Sequence, residues 1–506
     1  MKKIFYTANK LVLLFAGPAL LFSCNDYLDE MPDNRTELDN AEKISQILIS
    51  AYSESLPVTM QEMMSDNVTD YGKNIDIYDD LFQQSYLMQD VTGTAFDTPS
   101  AVWNDNYNAV ASANHALEAI EKLGDTEELE PQKGEALICR AYAHFTLCNA
   151  FCQAYNPQSS KTDLGIPYVT KPETTVFVDY ERGTVEEVYA KIAADIEAGI
   201  PLIDDTKYTQ PKYHFTKKAA QAFAAQFYLY YGKYDKAIEY ATAVLGEDPS
   251  AQFRNWDLFT GTSSKEYSNA YNASDEAANI FNQGFSTIND RTIGYRYIHT
   301  QAMLSETLRS LGPWMTASPI GTLPAYNTVY SYASRSFLFP KMSEYFMYTD
   351  VAQGIGHPYC VQVVYSTEKT LIDRAEAYAM AGPQYYDLAA RDLNLFYASA
   401  GAPTAHSAAQ IASFYETAGP LYKREIAPRF TVEAGTQTNL IHACLHARRI
   451  VTIHEGTRLQ DLKRFGIAYT HFVDGAANIE VAPYDKRLAI QLPATVIAAG
   501  LEANPR

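Results

Sequence analysis

Between residues 216 and 249, the chain carries the spacing of a paired-helix repeat, which limits its fold more than any other feature. The positions that carry this spacing are Ala225, Tyr228, Gly232, Tyr234, Ala237, Ala241 and Pro249. In a tetratricopeptide repeat, two antiparallel helices cross at small residues and a proline follows the second. A weaker copy covers residues 372–379 and 388–396. Because such pairs cannot bury their apolar faces alone, neighbours must stack on them. We therefore predict a mainly α-helical, tetratricopeptide-like scaffold.

Three further helices are predicted from their start signals and periodicity. Thr98 followed by Pro99 indicates a helix start, because threonine caps well and proline suits the first turn. A second helix is expected over residues 134–154. A third is expected from Thr184 to about residue 200, where Thr184 and Glu187 form a capping box.

The helical period fades between about residues 246 and 358. This stretch is rich in aromatic side chains set among Asn, Ser, Thr and Gly. A segment of this length without regular structure is too long for a simple connection, so we expect a loop-rich ligand-binding insertion. The 38 tyrosines against 23 phenylalanines favour surfaces where a ring meets a ligand while its hydroxyl stays in water.

The N-terminus predicts an exported, lipid-anchored protein. Lysines precede an apolar run that is too short to span a bilayer, which is typical of a secretory signal. The sequence Leu21-Phe22-Ser23-Cys24 resembles a bacterial lipobox, so residues 1–23 are the expected signal peptide and Cys24 the expected lipidation site. The acidic stretch 25–30 fits either a surface-export address or a solvated linker.

The net charge and the cysteine content exclude some classes of ligand. A net charge of −20 argues against nucleic acid, because no basic patch can replace phosphate counterions, and neutral ligands fit better. Five cysteines remain after Cys24, and buried free thiols are the expected state. Cys148 and Cys152 share a helix face, but no nearby histidine or carboxylate completes a metal site. We expect no metal and no cofactor.

Several motifs resemble the SusD/RagB family of nutrient-binding outer-membrane lipoproteins. Trp103-x3-Tyr107-x3-Val110-x2-Ala113-Asn114 is similar to the family's tryptophan–asparagine helix. Residues 135–145 and 165–168 resemble its alanine-rich helix and exit loop, and 486–493 with 502–505 its tail. The most specific match is the arginine–glutamate segment 448–466. Cys152-Gln153 departs from the usual tyrosine–glycine pair, which affects the local loop only.

The resemblance implies a function and a location. It implies a single SusD-like domain over residues 24–506, anchored by lipid in the outer membrane and exposed at the cell surface. Such proteins capture glycans, without catalysis, for a SusC-like TonB-dependent transporter, which would be the protein partner. The resemblance also places ligand contacts in an early loop beside the Trp103 helix.

Candidate ligand-binding residues fall in two segments. In the insertion, the possible aromatic platform is Trp256, Tyr295, Trp314, Tyr326 and Tyr330, with Arg291 and Arg296 as polar contacts. In the early loop, the candidates are Asp66, Asn67, Asp70, Tyr71 and the nearby Trp103. Sugar rings rest their C–H faces on aromatic planes, while their hydroxyls hydrogen-bond to polar groups. Packing in the core or within a loop is the alternative for each aromatic residue, and it is the favoured interpretation for every one of them, Trp103 included.

Two other functions stay open. A surface glycan hydrolase needs only two carboxylates a few ångströms apart in space, and the 60 acidic residues allow such a pair. A binder of peptide or another nutrient could use the same scaffold. Glu455, Arg458 and Asp461 recur at three-residue spacing, and ion pairing on a helix surface explains them more simply than catalysis.

Overall fold

The structure is a computed structural model that describes residues 37–173, 180–259, 263–300, 302–303, 312–314, 329–331, 336–420 and 422–506. The chain divides into two compact units, Met1–Leu38 and Asp39–Arg506. Of the first unit only Glu37 and Leu38 are described, so the predicted signal peptide and Cys24 lie outside the described residues. The α-helices of the second unit include α1 (Ala41–Leu48), α2 (Val58–Met63), α3 (Asp80–Tyr86), α4 (Pro99–Lys122), α5 (Glu130–Phe151), α6 (Val185–Gly199), α7 (Lys217–Tyr230), α8 (Tyr234–Leu245), α9 (Ser264–Tyr271), α10 (Thr367–Ala381), α11 (Tyr386–Ser399), α12 (Ala408–Thr417), α13 (Thr436–Val451), α14 (Thr457–Phe465) and α15 (Ala494–Ala498).

The predicted helix starts are confirmed. The Thr98 side chain accepts a hydrogen bond from the Ala101 N–H, and Pro99 opens α4. The capping box before α6 is present, with Thr184 and Glu187 each bonded to the other's backbone. The second predicted helix is α5, which begins four residues earlier than expected and ends three earlier, at Phe151. These helix starts depend on contacts within one turn, so local sequence suffices to place them.

The paired-helix scaffold is also confirmed. Helices α7 and α8 form the predicted pair, and α10 and α11 form its weaker copy. Helix α10 packs against α7, α8, α11 and α13, and α5 packs between α4 and α6. The fold is therefore mainly α, with each pair stacked on its neighbours as the pattern requires.

The predicted insertion is more regular than expected. The described strands are β1 (Thr69–Asp70), β2 (Asn279–Ser286), β3 (Tyr297–Ile298), β4 (Val329–Ser331), β5 (Ser336–Leu338), β6 (Tyr345–Asp350), β7 (Ile355–Ser366), β8 (Tyr469–His471) and β9 (Ile479–Val481). Strands β2, β7 and β6 form an antiparallel sheet in that order. β7 runs past the predicted end of the insertion and leads directly into α10. The insertion is thus built on a sheet that is joined to the helical scaffold.

The arginine–glutamate segment is two helices, α13 and α14, with a turn between them. Gly456 in this turn has a φ of +73°. A Cβ atom at this position would lie 2.8 Å from the Val58 carbonyl oxygen. Only glycine fits this conformation and this close approach, so the turn sets α14 against α2.

The core contains the described cysteines. Cys139, Cys148, Cys152, Cys360 and Cys444 are buried free thiols, as predicted. None of the helices in the described part of the chain has the length and apolar character needed to cross a membrane.

Candidate functional site

The structure brings the two predicted candidate segments together. β1 in the early loop pairs antiparallel with β3 in the insertion. The Tyr71 N–H donates to the Arg296 carbonyl (2.9 Å), and the Arg296 N–H donates to the Asp76 carbonyl (3.0 Å). Residues far apart in the sequence therefore form one continuous surface, which the sequence predicted only as two separate loops.

A pair of tyrosines with an arginine–carboxylate pair lies on this surface. The rings of Tyr78 and Tyr295 meet edge to face, 5.1 Å between centroids, and Tyr78 is 36% exposed. The Arg291 guanidinium lies 5.5 Å from the Tyr78 ring centroid and donates to both carboxylate oxygens of Glu344 at 2.5 Å. Such a bidentate pair fixes both groups in place. Arg291 and Tyr295 were predicted, whereas Tyr78 and Glu344 were not.

The hairpin of β6 and β7 carries further exposed aromatic rings. Phe346 is 45% exposed and Tyr348 is 56% exposed, and their ring centroids lie 5.0 Å apart. Both residues lie on the same face of β6, because side chains alternate along a strand. A Cβ atom at Gly356 on β7, opposite Tyr348, would overlap the Met347 carbonyl oxygen and lie 2.7 Å from the Phe346 ring, so glycine is needed for the close approach of the two strands.

We call Tyr78, Tyr295, Phe346 and Tyr348, with the Arg291–Glu344 pair, the aromatic surface. Glu344 directly precedes β6, so the ion pair links the two tyrosines to the hairpin. The sequence analysis missed the hairpin, although its dense aromatic run was a usable signal. Rings on such a run can be core or surface, and only the edge position of β6 decides in favour of the surface.

Asp66 and Asn67 hold the early loop in place from within. Arg458 donates to both carboxylate oxygens of Asp66 at 2.7 and 2.9 Å, and Arg424 lies 2.8 Å away. Burial acts to raise the pKa of Asp66, but the guanidiniums of Arg449 and Arg458 outweigh it and hold the pKa well below its usual range. The Asn67 side-chain oxygen accepts from Arg449 at 2.7 Å. Both predicted contacts therefore face protein groups.

Asp70 and Arg296 form a second internal brace. Arg296 donates to both carboxylate oxygens of Asp70 at 2.7 and 2.6 Å. Asp70 also accepts from the backbone N–H groups of Gly72 and Asp474. The Asp70 side chain is buried, whereas Tyr71 beside it is half-buried. This pair shapes the loop that presents Tyr78.

The three tryptophans have different environments. Trp103 is a core residue packed on Tyr107 and Phe151, as favoured from the sequence. Trp314 is 0% exposed; it stacks on Tyr397 with centroids 4.1 Å apart and donates to the Asn394 side chain. This is the environment of a core tryptophan, not of a ligand platform.

Trp256 is half-buried and packs against Phe259 and Tyr271. Of the remaining predicted rings, Tyr326 lies outside the described residues. Tyr330 lies on β4, but its side chain is not among those described. Tyr295 is thus the predicted platform ring that the structure places in the aromatic surface.

The expectation of ion pairs on a helix surface is wrong. Glu455 is buried and pairs with Lys341 at 3.0 Å and with Lys369 at 2.5 Å. Asp461 is buried and pairs with Arg448 at 3.0 Å. These charges join separate elements inside the protein, where each partner compensates the loss of hydration of the other. These ion pairs therefore brace separate elements of the protein against one another.

Glu62 is buried and accepts a hydrogen bond from the Gly456 N–H in the turn between α13 and α14. Its carboxyl group gives a prediction about how stability depends on pH. Burial raises the pKa of Glu62 to about 7, although hydrogen bonds from Gly456, Asn67 and His454 act to lower it. A carboxyl group whose pKa is raised on folding stabilises the protein below its unfolded pKa, and this contribution is lost as the pH rises through the folded pKa. Between pH 4.5 and 7, the wild type should therefore lose about 3 kcal/mol of unfolding free energy relative to Glu62→Gln.

Urea unfolding of the wild type and Glu62→Gln across this pH range measures the difference in their unfolding free energies. The contributions of the other titrating groups cancel in this difference. A difference that stays constant with pH would contradict a raised pKa for Glu62.

Residues 26–229 match the SusD-like family model described as starch-binding and associating with the outer membrane. SusD-like protein P38 of Formosa agariphila is 29% identical over 165 residues, which are 31% of this chain and 29% of that protein. The chain therefore matches less than a third of the length of this curated relative.

Solved structures extend the likeness to nearly the whole chain. A SusD superfamily protein from Bacteroides thetaiotaomicron aligns with a TM-score of 0.63 at 18% identity, covering 93% of this chain and 100% of that one. A laminarin binding SusD-like protein aligns with a TM-score of 0.55 at 16% identity, covering 92% and 99%. At these identities the likeness concerns the fold. Together with the sequence match, it confirms the predicted resemblance to the SusD/RagB family.

Proposed function

We propose that this protein is a non-catalytic, cell-surface glycan-binding lipoprotein that delivers its ligand to a SusC-like TonB-dependent outer-membrane transporter. The observation that carries the proposal is the aromatic surface, in which Tyr78 packs beside the fixed Arg291–Glu344 pair and the edge strand that follows Glu344 exposes Phe346 and Tyr348. The starch-binding description of the matched family and the laminarin-binding relative of known structure support it.

The chemistry of the aromatic surface suits a neutral glycan. Tyr78, Phe346 and Tyr348 offer ring faces on which the C–H faces of sugar rings can pack. Glu344 can accept hydrogen bonds from sugar hydroxyls, and Arg291 can donate to them. The net charge of −20 repels polyanionic chains, so neutral glucans such as starch and laminarin are the first candidates.

A panel of polysaccharides separates a binder from a hydrolase. Native gels containing starch, laminarin or the anionic glycan alginate should show retardation of the pure protein by at least one neutral glycan. Reducing ends should not accumulate in the same mixtures. Sustained release of reducing ends would establish the hydrolase instead. If none of the glycans retards the protein and peptides bind saturably, the protein would be a peptide binder instead.

Asp97 and Asp373 are two buried carboxylates with raised pKa values that do not belong to the aromatic surface. Burial raises the pKa of Asp97 to about 6 and that of Asp373 to about 6, as expected for general acids. However, Asp97 accepts hydrogen bonds from Thr287 and Ile288, and Asp373 accepts from Arg448. Neither belongs to the aromatic surface, whereas a glycosidase needs its acid beside the substrate.

The location is tested by a change at the proposed anchor. Acylation requires the sulfur of Cys24, so Cys24→Ala should release the protein from the outer-membrane fraction. Membrane retention of this variant would contradict the anchor.

The partner is tested by co-purification. The wild type, solubilised in mild detergent, should co-purify with a β-barrel transporter, because stacked helix pairs offer the broad face that a stable complex needs. Purification of the wild type alone would contradict the transporter complex.

A further inference from the structure

A cavity lies where the helical scaffold meets the sheet. Its walls come from α5 and α7, from β7 and α10, and from α2, α13 and α14. Its volume is about 120 Å³, roughly ten times the space that one water needs. Pockets for drug-sized molecules are larger, roughly 300–1,000 Å³. The size of this cavity therefore suits a ligand that is small but larger than water.

The polar groups of the cavity are mostly carboxamides and hydroxyls. Five carboxamides line it, together with three threonines and three tyrosines. The carboxamides are those of Gln61, Asn149, Gln226, Gln362 and Gln460. A carboxamide both donates and accepts hydrogen bonds, as a hydroxyl group does. The lining therefore matches a ligand rich in hydroxyl groups.

The charged groups of the lining form ion pairs, so their charges sum to zero. Lys369 pairs with Glu455 at 2.5 Å, and Arg448 pairs with Asp373 at 3.1 Å. A charged ligand would have to break one of these buried pairs to obtain a partner, which is costly. The cavity therefore favours a neutral ligand.

Two buried polar atoms in the lining lack a protein partner. The Gln61 side-chain nitrogen and the Tyr230 hydroxyl have no hydrogen-bond partner among the described residues. Gln61 is 6% exposed. Buried polar groups in native proteins are almost always satisfied by protein, water or ligand.

Aromatic rings complete the wall. Tyr142, Phe145 and Tyr365 line the cavity, and the rings of Tyr142 and Tyr365 lie edge to face with centroids 6.5 Å apart. Apolar ring faces suit the C–H groups that alternate with hydroxyls in a polyol.

We propose that this cavity is a second binding site, separate from the aromatic surface, for one small neutral polyhydroxylated molecule such as a monosaccharide or a polyol. The site shares no residue with the aromatic surface. It is formed where the scaffold, the sheet and the C-terminal helices meet, so its occupant would contact all three.

Calorimetric titration of the intact protein with glucose, galactose and glycerol tests this proposal, with glucosamine and glucuronate as charged counterparts. At least one neutral probe should bind with a stoichiometry of one, and its charged counterparts at least tenfold more weakly. Gln362→Met and Gln61→Met should each weaken binding at least tenfold. Exposed Gln384 provides the matched control, and neither Gln384→Met nor Tyr295→Ala should change the binding of the probe.

Gln61→Met also separates a lost contact from a damaged fold. It removes a buried donor that lacks a protein partner, so the melting temperature of the ligand-free protein should stay the same or rise. If none of the neutral probes binds saturably, the proposal is overturned, since the cavity would then hold water only. Equal affinity in the wild type and both cavity variants would overturn it too, because the sugar would then bind elsewhere.

Discussion

Asp66→Ala is expected to lower the free energy of unfolding by about 3–5 kcal/mol, because it leaves buried arginine charges without their carboxylate. Arg458 contacts both carboxylate oxygens of Asp66, and Arg424 adds a third contact. The side chains of Asp66 and Arg458 are at most 5% exposed, so water cannot replace the lost partner. Urea unfolding at neutral pH measures the effect.

The exposed pair of Glu118 and Lys122 provides the control for Asp66→Ala. These two side chains are 39% and 69% exposed, and such surface pairs contribute about 0–1 kcal/mol. Glu118→Ala should therefore change the free energy of unfolding little. A loss below 1 kcal/mol for Asp66→Ala would show that Asp66 does not brace the early loop and would return it to the candidate ligand contacts.

Trp314→Ala is expected to cost about 3–5 kcal/mol of stability, as for other large aromatic residues removed from a core. The variant loses the stacking on Tyr397 and the hydrogen bond to Asn394 and leaves a cavity behind. Below its lowered melting temperature, it should bind glycan as the wild type does. Differential scanning calorimetry and glycan titration on the same sample measure both quantities.

Trp314→Phe keeps part of the packing at this position. It retains a smaller ring against Tyr397 and loses the indole N–H with part of the ring volume, so it should be less destabilising than Trp314→Ala. A Trp314→Ala variant with unchanged melting temperature and weakened glycan binding would contradict the core assignment.

Local signals in the sequence predicted much of the helical scaffold. The cap at Thr98, the capping box at Thr184 and the small residues of the α7–α8 pair act within one or two turns or between adjacent helices. Such signals need no knowledge of distant partners. The sequence also favoured a core position for Trp103, although it kept this residue among the candidate ligand contacts.

The braces inside the protein could not be predicted in this way. Asp66 and Arg458 lie 392 residues apart in the sequence, so no local pattern reveals that they pair. For the same reason, a polar loop such as 65–71 looks like a ligand site until its partners are known. Glu455, Arg458 and Asp461 fit a helix surface by spacing, but tertiary packing buried all three.

The aromatic surface was predicted in part. Arg291 and Tyr295 followed from the richness of the insertion in aromatic and polar residues. Tyr78, Phe346 and Tyr348 did not, since their exposure depends on where the sheet ends and on how β1 pairs with β3. Composition identified the segment, whereas tertiary structure selected the rings.

The central claim is tested most directly with a glycan that retards the protein in the gel panel. This glycan is titrated into the wild type, Tyr295→Ala and Tyr348→Ala. Hot-spot aromatic residues contribute about 1–3 kcal/mol to binding, so at least one variant should bind about tenfold or more weakly at an unchanged melting temperature. Tyr240→Ala, on the helix pair outside the insertion and half-buried like Tyr295, should keep the wild-type affinity. Full affinity in both surface variants, or an equal loss in Tyr240→Ala, would contradict glycan binding at the aromatic surface.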